Sequence, residues 1–190
     1  FLKMGMLGAL YADSIMQMYY ATAVREKNKG EAKRLADKYL DVGNRALTKS
    51  KKAVMGRLES AVEEFNAMEV KGGEYPVVGL VGEIYVKYNP FGNLHIVDWL
   101  EENGVEVVVP PIYDFFTQTY INIREDAKGH VARGGLKVWA TYPIEWVTDS
   151  YLNAFEAVRR KFRYHRPAHS VRQLSEKAKN IVTLVNQFGE

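Results

Sequence analysis

The sequence predicts an α/β fold, in which a helical N-terminal segment precedes a small subdomain built on a short parallel sheet. Two valine-rich apolar runs, Val77–Val81 and Val105–Val109, predict strands, and the first has the pattern of a strand that is covered on both faces. A loop and a helical stretch separate these runs, and this β-turn-α-β order is the usual one for parallel strands. Strand patterns of this kind begin only after residue 73.

Composition limits the class of protein. The chain has 190 residues, of which 47% are hydrophobic, so it can bury a sizeable core. The net charge of +3 is small against 26 basic and 23 acidic residues, and we expect no nucleic-acid partner. Because cysteine is absent, the chain itself forms no disulfide and ligates no iron–sulfur cluster through thiolates. The absence of cysteine also fits a reducing cytoplasm, and we expect a cytoplasmic protein. We expect no membrane span, since Lys3, Asp13 and Gln17 interrupt the apolar N-terminal run.

The first 73 residues predict helices. A first helix over residues 2–27 ends at Asn28-Lys29-Gly30, and apolar steps of three and four predict a helical hairpin from Glu31 to Phe65. Gly43 and Gly56 each lower helix stability, so we expect a bend or break near either. The polar, glycine-rich connector Val70–Pro76 suggests a boundary between a helical segment, 1–73, and an α/β subdomain, 74–190, that is incomplete at its C-terminal end.

Capping residues, prolines and glycines predict where the helices and strands of the subdomain begin and end. Asn89 can cap the helix between the strands, with Pro90 as its first residue and Asn103-Gly104 as its stop. Pro110-Pro111 ends the second strand. Residues 136–142 fit either a strand or a helix, and the helical spacing of the segment that follows favours a helix. The remaining expected elements are helices over Tyr113–Lys128 and Trp146–Tyr164, a helix capped by Ser170 that ends at Lys179, and a third strand over Ile181–Val185.

The candidate binding site lies where the first strand ends, because open α/β sheets bind ligands at the carboxyl ends of their strands. Two roles are open for Glu83: a substrate-contacting acid, base or acceptor, or a carboxylate that fixes the loop by accepting backbone N–H bonds. A helix capped by Asn89 would also expose N–H groups to an anion, although most such groups bind only a cap and water. Gly79 and Gly82 match neither the dinucleotide fingerprint nor the P-loop. The candidate substrate-binding residues are Glu83, Tyr85, Asn89 and Asn93, and no catalytic residue is assigned.

A basic stretch at residues 159–172 is the second candidate site. It interleaves basic residues with Phe162 and Tyr164 and contains no acid, so it fits a phosphate, an acidic partner or a solvated helix face. The candidate anion-binding residues are Arg159, Arg160 and Arg163. His165 and His169 have the spacing of a helical metal pair, but Pro167 between them disrupts a helix, and we expect no metal site.

A family resemblance rests on residues 78–93 and 105–115. The runs VGLVGEIYVKYNPFGN and VEVVVPPIYDF resemble the large proteins related to the 2-hydroxyglutaryl-CoA dehydratase D-component and its acyl-CoA dehydratase activase. The closing run Asn186–Glu190 is also similar to a segment of that family. The resemblance implies an anaerobic system in which an ATP-driven activase passes an electron to an iron–sulfur enzyme that acts on acyl-CoA substrates.

The resemblance implies further that the chain is a fragment of such a protein. A [4Fe-4S]-type cluster is expected in the parent protein and not in this chain, which also has no recognisable ATP-binding part. The partners would be the remainder of the parent polypeptide and an activase component. The fragment would form a small three-layer, flavodoxin-like subdomain that supplies one wall of a site and no complete active site. Two alternatives remain: a non-catalytic docking module whose basic stretch 159–172 binds an acidic partner or a coenzyme A phosphate, and a free-standing nucleotide-binding enzyme.

Overall fold

A computed structural model describes residues 2–130, 135–167, 171–178 and 181. These residues are mostly helical and include a two-stranded parallel sheet, so the α/β class is confirmed at that level. The chain forms two compact units, Phe1–Pro111 with Phe155–Arg166 and Ile112–Ala154 with Pro167–Glu190. The elements are α1 (Leu2–Ala23), α2 (Glu31–Leu47), α3 (Lys51–Ala67), β1 (Val77–Gly79), α4 (Ile84–Tyr88), α5 (Ile96–Glu102), β2 (Glu106–Val108), α6 (Ile112–Lys128), α7 (Gly135–Arg159) and α8 (Val171–Ala178).

In the first unit, α1, α2 and α3 pack against one another and confirm the predicted helices and hairpin. The expected bend at Gly43 or Gly56 is wrong, because both glycines lie inside continuous helices. Gly43 faces the ring of Tyr11, where a Cβ atom would lie 2.0 Å from Cε1 of that ring. The glycine therefore permits the close approach of α1 and α2 and does not interrupt α2. One stripe of α2 is buried, formed by Ala32, Ala36, Tyr39, Gly43 and Ala46.

The parallel pairing of the two valine-rich runs is confirmed. Val78 of β1 is opposite Val107 of β2, and the Leu80 N–H donates to the Val108 carbonyl at 2.9 Å, one residue beyond β1. The expectation that the first strand is covered on both faces is wrong for these residues, since the Val77 side chain is 45% exposed and that of Val78 42%. A valine-rich run predicts a strand but not what covers it, because β-branched residues favour strands on either face.

The segment between the strands differs from the prediction at its start. A short helix, α4, occupies the expected loop, and α5 begins at Ile96 instead of Pro90. The physical reason is the backbone at Leu94 and His95, whose φ angles of 54° and 56° lie in the left-handed region that cannot continue a helix. Asn103-Gly104 ends α5 as predicted, with Gly104 at a φ of 72°.

The second unit contains α6, most of α7 and α8. The helical interpretation of residues 136–142 is confirmed, and α7 runs through Pro143 to Arg159 as one helix. Within this unit, Arg124 of α6 donates to Glu145 of α7 at 2.7 Å, and both side chains are largely buried. The last helix is also found, as α8. Ser170, Lys179 and residues 182–185 of the predicted third strand lie outside the described residues, while Ile181 lies in a turn.

The division expected at residue 73 falls inside the first unit, because α1–α3, β1 and β2 all belong to it. The start of the connector and the residue before it form backbone hydrogen bonds with residues that follow α1. The Lys71 N–H donates to the Arg25 carbonyl at 2.7 Å, and the Lys27 N–H donates to the Glu69 carbonyl at 3.2 Å. No helix among the described residues combines the length and the apolar character that crossing a membrane requires.

Candidate functional site

Glu83 caps the short helix α4. One of its carboxylate oxygens accepts hydrogen bonds from the N–H groups of Tyr85, at 2.7 Å, and Val86, at 3.3 Å. The sequence leaves two roles open for Glu83. This geometry agrees with the second role, in which the carboxylate fixes the loop by accepting hydrogen bonds from backbone N–H groups. Glu83 is an exposed residue.

Asn89 organises a single turn and not the start of α5. Its side-chain oxygen accepts from the N–H groups of Phe91, at 2.9 Å, and Gly92, at 3.1 Å, while its backbone carbonyl accepts from the Asn93 N–H at 3.0 Å. The three N–H groups that the sequence offers to an anion therefore all have internal partners. The Tyr85 ring packs beside this turn, since a Cβ atom at Gly92 would lie 3.0 Å from its Cε1 atom.

Asn93 differs from the other three predicted residues, because it lines a cavity of about 200 Å³ in the first unit. Its side-chain oxygen is buried without a hydrogen-bond partner among the described residues, and its amide nitrogen lies 3.5 Å from the Lys87 carbonyl. The cavity lies between α1, α2 and the segment from α4 to α5. Its lining consists of Met16, Tyr19, Tyr20, Lys33, Ala36, Asp37, Lys87, Tyr88, Pro90, Asn93, His95, Val97 and Asp98.

Glu101 lies behind one of the rings that line this cavity. The Tyr19 hydroxyl donates to one Glu101 carboxylate oxygen at 2.8 Å, and the other oxygen is buried without a partner in the described part of the chain. Burial raises the pKa of Glu101 to about 7; the Tyr19 hydrogen bond lowers it, and the nearby Asp98 and Glu26 raise it. This carboxyl group therefore titrates near neutral pH.

A second buried carboxylate, Glu106, lies at the start of β2. It accepts hydrogen bonds from Arg25, at 2.6 Å, and from Arg166, at 2.7 Å. Burial acts to raise the pKa of Glu106, but the hydrogen bonds from Arg166 and Arg25 outweigh it and the pKa lies below its usual value. The Arg25 guanidinium also lies 4.5 Å from the centroid of the Tyr164 ring and 5.0 Å from that of Tyr75.

The predicted anion-binding arginines do not share one environment. Arg159 is buried and lies 3.4 Å from Glu156, which also lies 3.6 Å from the exposed Arg160. Arg163 donates to the Met68 carbonyl at 2.8 Å. His165, discounted as a metal ligand, contacts the same Glu156 at 2.7 Å. Much of the basic charge in this stretch is therefore already engaged within the first unit.

The residues that Glu101 and Glu106 bring together were not predicted from the sequence. Glu101 carried a signal, because it occupies the apolar step of the helix that ends at Asn103, where a carboxylate is costly to bury. Glu106 carried a similar signal as an acid within a valine-rich run. Glu156 is three and four residues before Arg159 and Arg160, which is the spacing of helical ion pairs. Tyr19 and Tyr20 gave no such signal.

Comparisons with known proteins add no evidence about this site. Neither a protein-family model, nor a curated protein, nor a solved structure matches the chain. Within the described ranges, no three His, Cys, Asp or Glu side chains are grouped so as to hold a metal ion.

Proposed function

We propose that the chain is a non-catalytic part of a larger iron–sulfur protein of the acyl-CoA dehydratase and activase type, in which it forms one wall of a site. The sequence supports this through the run at residues 78–93, which resembles that family. In the proposal, a [4Fe-4S]-type cluster belongs to the parent protein and lies outside these 190 residues, because they contain no cysteine to ligate it. The partners are then the remainder of the parent polypeptide and an activase component.

The observation that carries the proposal is the apolar surface around this run. Soluble proteins seldom leave large apolar patches bare, and such patches usually mark a surface that another part or partner covers. In the segment from β1 to α5, several large apolar side chains are between 42% and 87% exposed, namely those of Val77, Val78, Val81, Tyr85, Val86, Phe91, Leu94 and Trp99.

A second, independent support is the edge of β1 that faces away from β2, which pairs with no other strand among the described residues. The Glu106 N–H donates to the Pro76 carbonyl at 2.8 Å, and the Leu80 N–H donates to β2. In a parallel ladder the intervening Val77 and Gly79 direct their backbone groups away from β2. An unpaired strand edge favours the addition of another strand. In the proposal, a strand from the rest of the polypeptide pairs there and completes a three-layer, flavodoxin-like arrangement, with Glu83, Tyr85, Asn89 and Asn93 at the wall.

The first test compares the complete polypeptide with residues 1–190, both expressed without oxygen. We expect iron, sulfide and acyl-CoA turnover only in the complete polypeptide. Glu83→Gln should lower turnover by roughly tenfold with an unchanged cluster content, because a charge-assisted hydrogen bond contributes about 1.5–3 kcal/mol. Glu74→Gln, at an exposed glutamate of the connector, is the control. A complete polypeptide without a cluster contradicts the family assignment, and wild-type turnover in Glu83→Gln removes that side chain from the site.

A second test concerns the apolar surface alone. Residues 1–190 are mixed with the separately produced remainder of the polypeptide, and their affinity is measured by titration calorimetry. Leu94→Ser should weaken the association, since Leu94 is 87% exposed in the apolar segment from β1 to α5. Leu136→Ser is the matched control, because this leucine of the second unit is 84% exposed and should leave the affinity unchanged. Equal effects of the two variants would mean that the surface around β1 is not the covered one.

A further inference from the structure

The part of α7 that belongs to the second unit buries polar side chains. Thr141 and Thr148 are 3% and 6% exposed, and each hydroxyl donates to a carbonyl of the same helix. Glu145 accepts from Arg124 of α6 at 2.7 Å, and both of these side chains are largely buried. The buried side of this part of α7 is therefore polar.

The opposite side of the same helix is apolar and exposed. Four residues follow one another there in steps of three and four, namely Leu136, Trp139, Pro143 and Trp146, which we call the α7 stripe. Leu136 is 84% exposed, Trp139 73% and Trp146 74%. A helix at the surface of a soluble protein normally directs its apolar side inward. This reversed arrangement indicates that another surface covers the α7 stripe.

The area of the α7 stripe suits a small, reversible interface. At about 200–250 Å² for each aromatic side chain, Trp139, Trp146 and the half-exposed Tyr142 present roughly 400–500 Å². The rings of Trp139 and Tyr142 are neighbours, with centroids 6.1 Å apart, and Leu136 adds to the same surface. Weak protein–protein interfaces bury less than about 1,200 Å² in total, which is half that area on each partner. Two copies of this stripe that face each other reach this size.

The lack of charge on the α7 stripe favours a second copy of the chain as the partner. In a two-fold symmetric contact the same patch meets itself, so a charged side chain near the axis would face its own sign. The charged residues of this part of α7 are Lys137, Glu145 and Asp149, and none of them belongs to the stripe. Aromatic anchors of one partner also tend to pack against those of the other, which a symmetric contact provides.

A lipid surface fits the α7 stripe less well. Helices that lie on membranes carry several Lys and Arg residues on the polar face beside their apolar one. Between Gly135 and Ser150 the sequence contains a single basic residue, Lys137. The polar side of the helix is also occupied, since Glu145 on that side pairs with Arg124.

We propose that the α7 stripe is a homodimer interface. Trp139 of one copy packs against Trp146 of the other, and conversely, around a two-fold axis near Pro143, so that the two α7 helices cross in opposite directions. The apolar surface from β1 to α5 remains free for a different partner. This inference goes beyond the proposed function and does not depend on it.

Sedimentation velocity of the 190-residue chain at roughly 1–200 µM tests the dimer, for which we expect a dissociation constant of roughly 1–100 µM. Trp139→Ser and Trp146→Ser should each weaken dimerisation at least tenfold, because central aromatic anchors dominate small interfaces. Trp99→Ser is the control, since Trp99 of the first unit is 56% exposed and lies outside the stripe. A chain that stays monomeric over this range overturns the proposal. A dimer that Trp99→Ser weakens and Trp139→Ser does not overturns it as well.

A single introduced thiol tests the symmetry, because the chain contains no cysteine of its own. Pro143→Cys places one thiol of each copy near the axis, within the Cα–Cα distance of about 4.4–6.8 Å that a disulfide requires. Oxidation with diamide should then give a covalent dimer. Asn44→Cys, at an exposed position of α2, should give little covalent dimer under the same conditions. Equal cross-linking of the two variants overturns the symmetric contact.

The same thiol distinguishes a second copy from other partners. Maleimide labelling of Pro143→Cys should slow as the protein concentration rises, because dimerisation covers the thiol. If the complete polypeptide sediments as a monomer and protects this thiol, the remainder of the polypeptide covers the α7 stripe and the proposal is overturned. Cosedimentation of the chain with phosphatidylglycerol vesicles that Trp139→Ser abolishes would assign the stripe to a lipid surface and overturn it too.

Discussion

Arg25 and Glu106, 81 residues apart in the chain, form a buried ion pair that joins the end of α1 to the start of β2. Nη2 of Arg25 donates to Oε2 of Glu106 across 2.6 Å, and the two side chains are 10% and 2% exposed. The second Glu106 oxygen accepts from Nε of Arg166 at 2.7 Å. One carboxylate therefore links three separate segments of the first unit.

Glu106→Gln should destabilise the protein strongly. The neutral amide cannot compensate the positive charges of the Arg25 and Arg166 guanidinium groups. Breaking a buried ion pair in this way leaves an uncompensated charge, at a cost of about 3–5 kcal/mol. Urea unfolding measures this as a lower midpoint of the transition that contains the first unit. Glu102→Gln is the control, because Glu102 pairs with Lys29 at 3.1 Å on the surface and its loss should cost less than about 1 kcal/mol. Similar losses in both variants would contradict the importance of burial.

The contribution of Glu106 should disappear in acid. Its folded-state pKa is lowered, so its stabilisation is complete above the unfolded-state pKa of about 4.3 and is lost as pH falls through the folded value. The free energies of unfolding of the wild type and Glu106→Gln should therefore converge at low pH. Urea unfolding between neutral and acidic pH tests this, and a constant difference between the two proteins would contradict it.

Glu101 should act in the opposite direction. Its pKa in the folded protein is raised to about 7, so the folded state binds more protons than the unfolded state between about pH 4.5 and 7. The stabilisation by the protonated group is present below the unfolded pKa and is lost as pH rises to about 7, a change of at most roughly 3 kcal/mol, since each pKa unit corresponds to about 1.4 kcal/mol. Glu101→Gln, which cannot ionise, should flatten this dependence and raise the stability at pH 8.

The neighbouring Glu102 provides the control for this pH dependence. Glu102 is exposed, and Glu102→Gln should leave the decline of stability between pH 4.5 and 7 in place. Urea unfolding at several pH values distinguishes the two substitutions. If Glu101→Gln keeps the wild-type slope in this range, another group is responsible for it.

Two glycines inside helices should respond to alanine with opposite signs. At Gly43 a Cβ atom would lie 2.0 Å from the Tyr11 ring, whose hydroxyl donates to the Tyr39 carbonyl at 2.8 Å, so the α1–α2 packing must shift. We expect a loss of about 1–3 kcal/mol or more. At Gly56 nothing lies within 4 Å, and alanine should stabilise α3 by about 0.5–1 kcal/mol. Thermal unfolding measures both, and a loss of stability in both variants would contradict the packing argument.

The sequence predicted the features that depend on local pattern. Helical spacing indicated α2, α3 and α7, and the valine-rich runs indicated the parallel pair. The sequence did not predict whether the side chains of these strands are buried, because a run of β-branched residues occurs in buried and in exposed strands alike. The late start of α5 was not predicted either, because the left-handed backbone begins at Leu94, and leucine rarely adopts that conformation.

The partners of the buried carboxylates could not be predicted from spacing. Glu106 binds Arg25 and Arg166, which are 81 and 60 residues away, and no period in the sequence relates such positions. Tyr19 likewise reaches Glu101 across 82 residues. A carboxylate at an apolar position indicates that some partner exists, because its burial without one is costly. The identity of that partner depends on the tertiary fold.

Asn89→Ala should release the turn that precedes α5. The wild-type side-chain oxygen accepts from the N–H groups of Phe91 and Gly92, and removing a comparable cap costs about 1 kcal/mol. Amide hydrogen exchange of these two residues should become faster, while that of Val54, whose N–H donates to the Ser50 carbonyl at 3.1 Å, should not change.

The same substitution decides whether this turn binds anions. In the wild type the N–H groups are occupied, so inorganic phosphate should leave their NMR resonances unmoved. In Asn89→Ala the freed N–H groups of Phe91 and Gly92 should respond to phosphate, because unpaired N–H groups at a turn attract anions. Saturable phosphate shifts at Phe91 and Gly92 in the wild type would contradict this, since they require that the anion displaces the Asn89 oxygen.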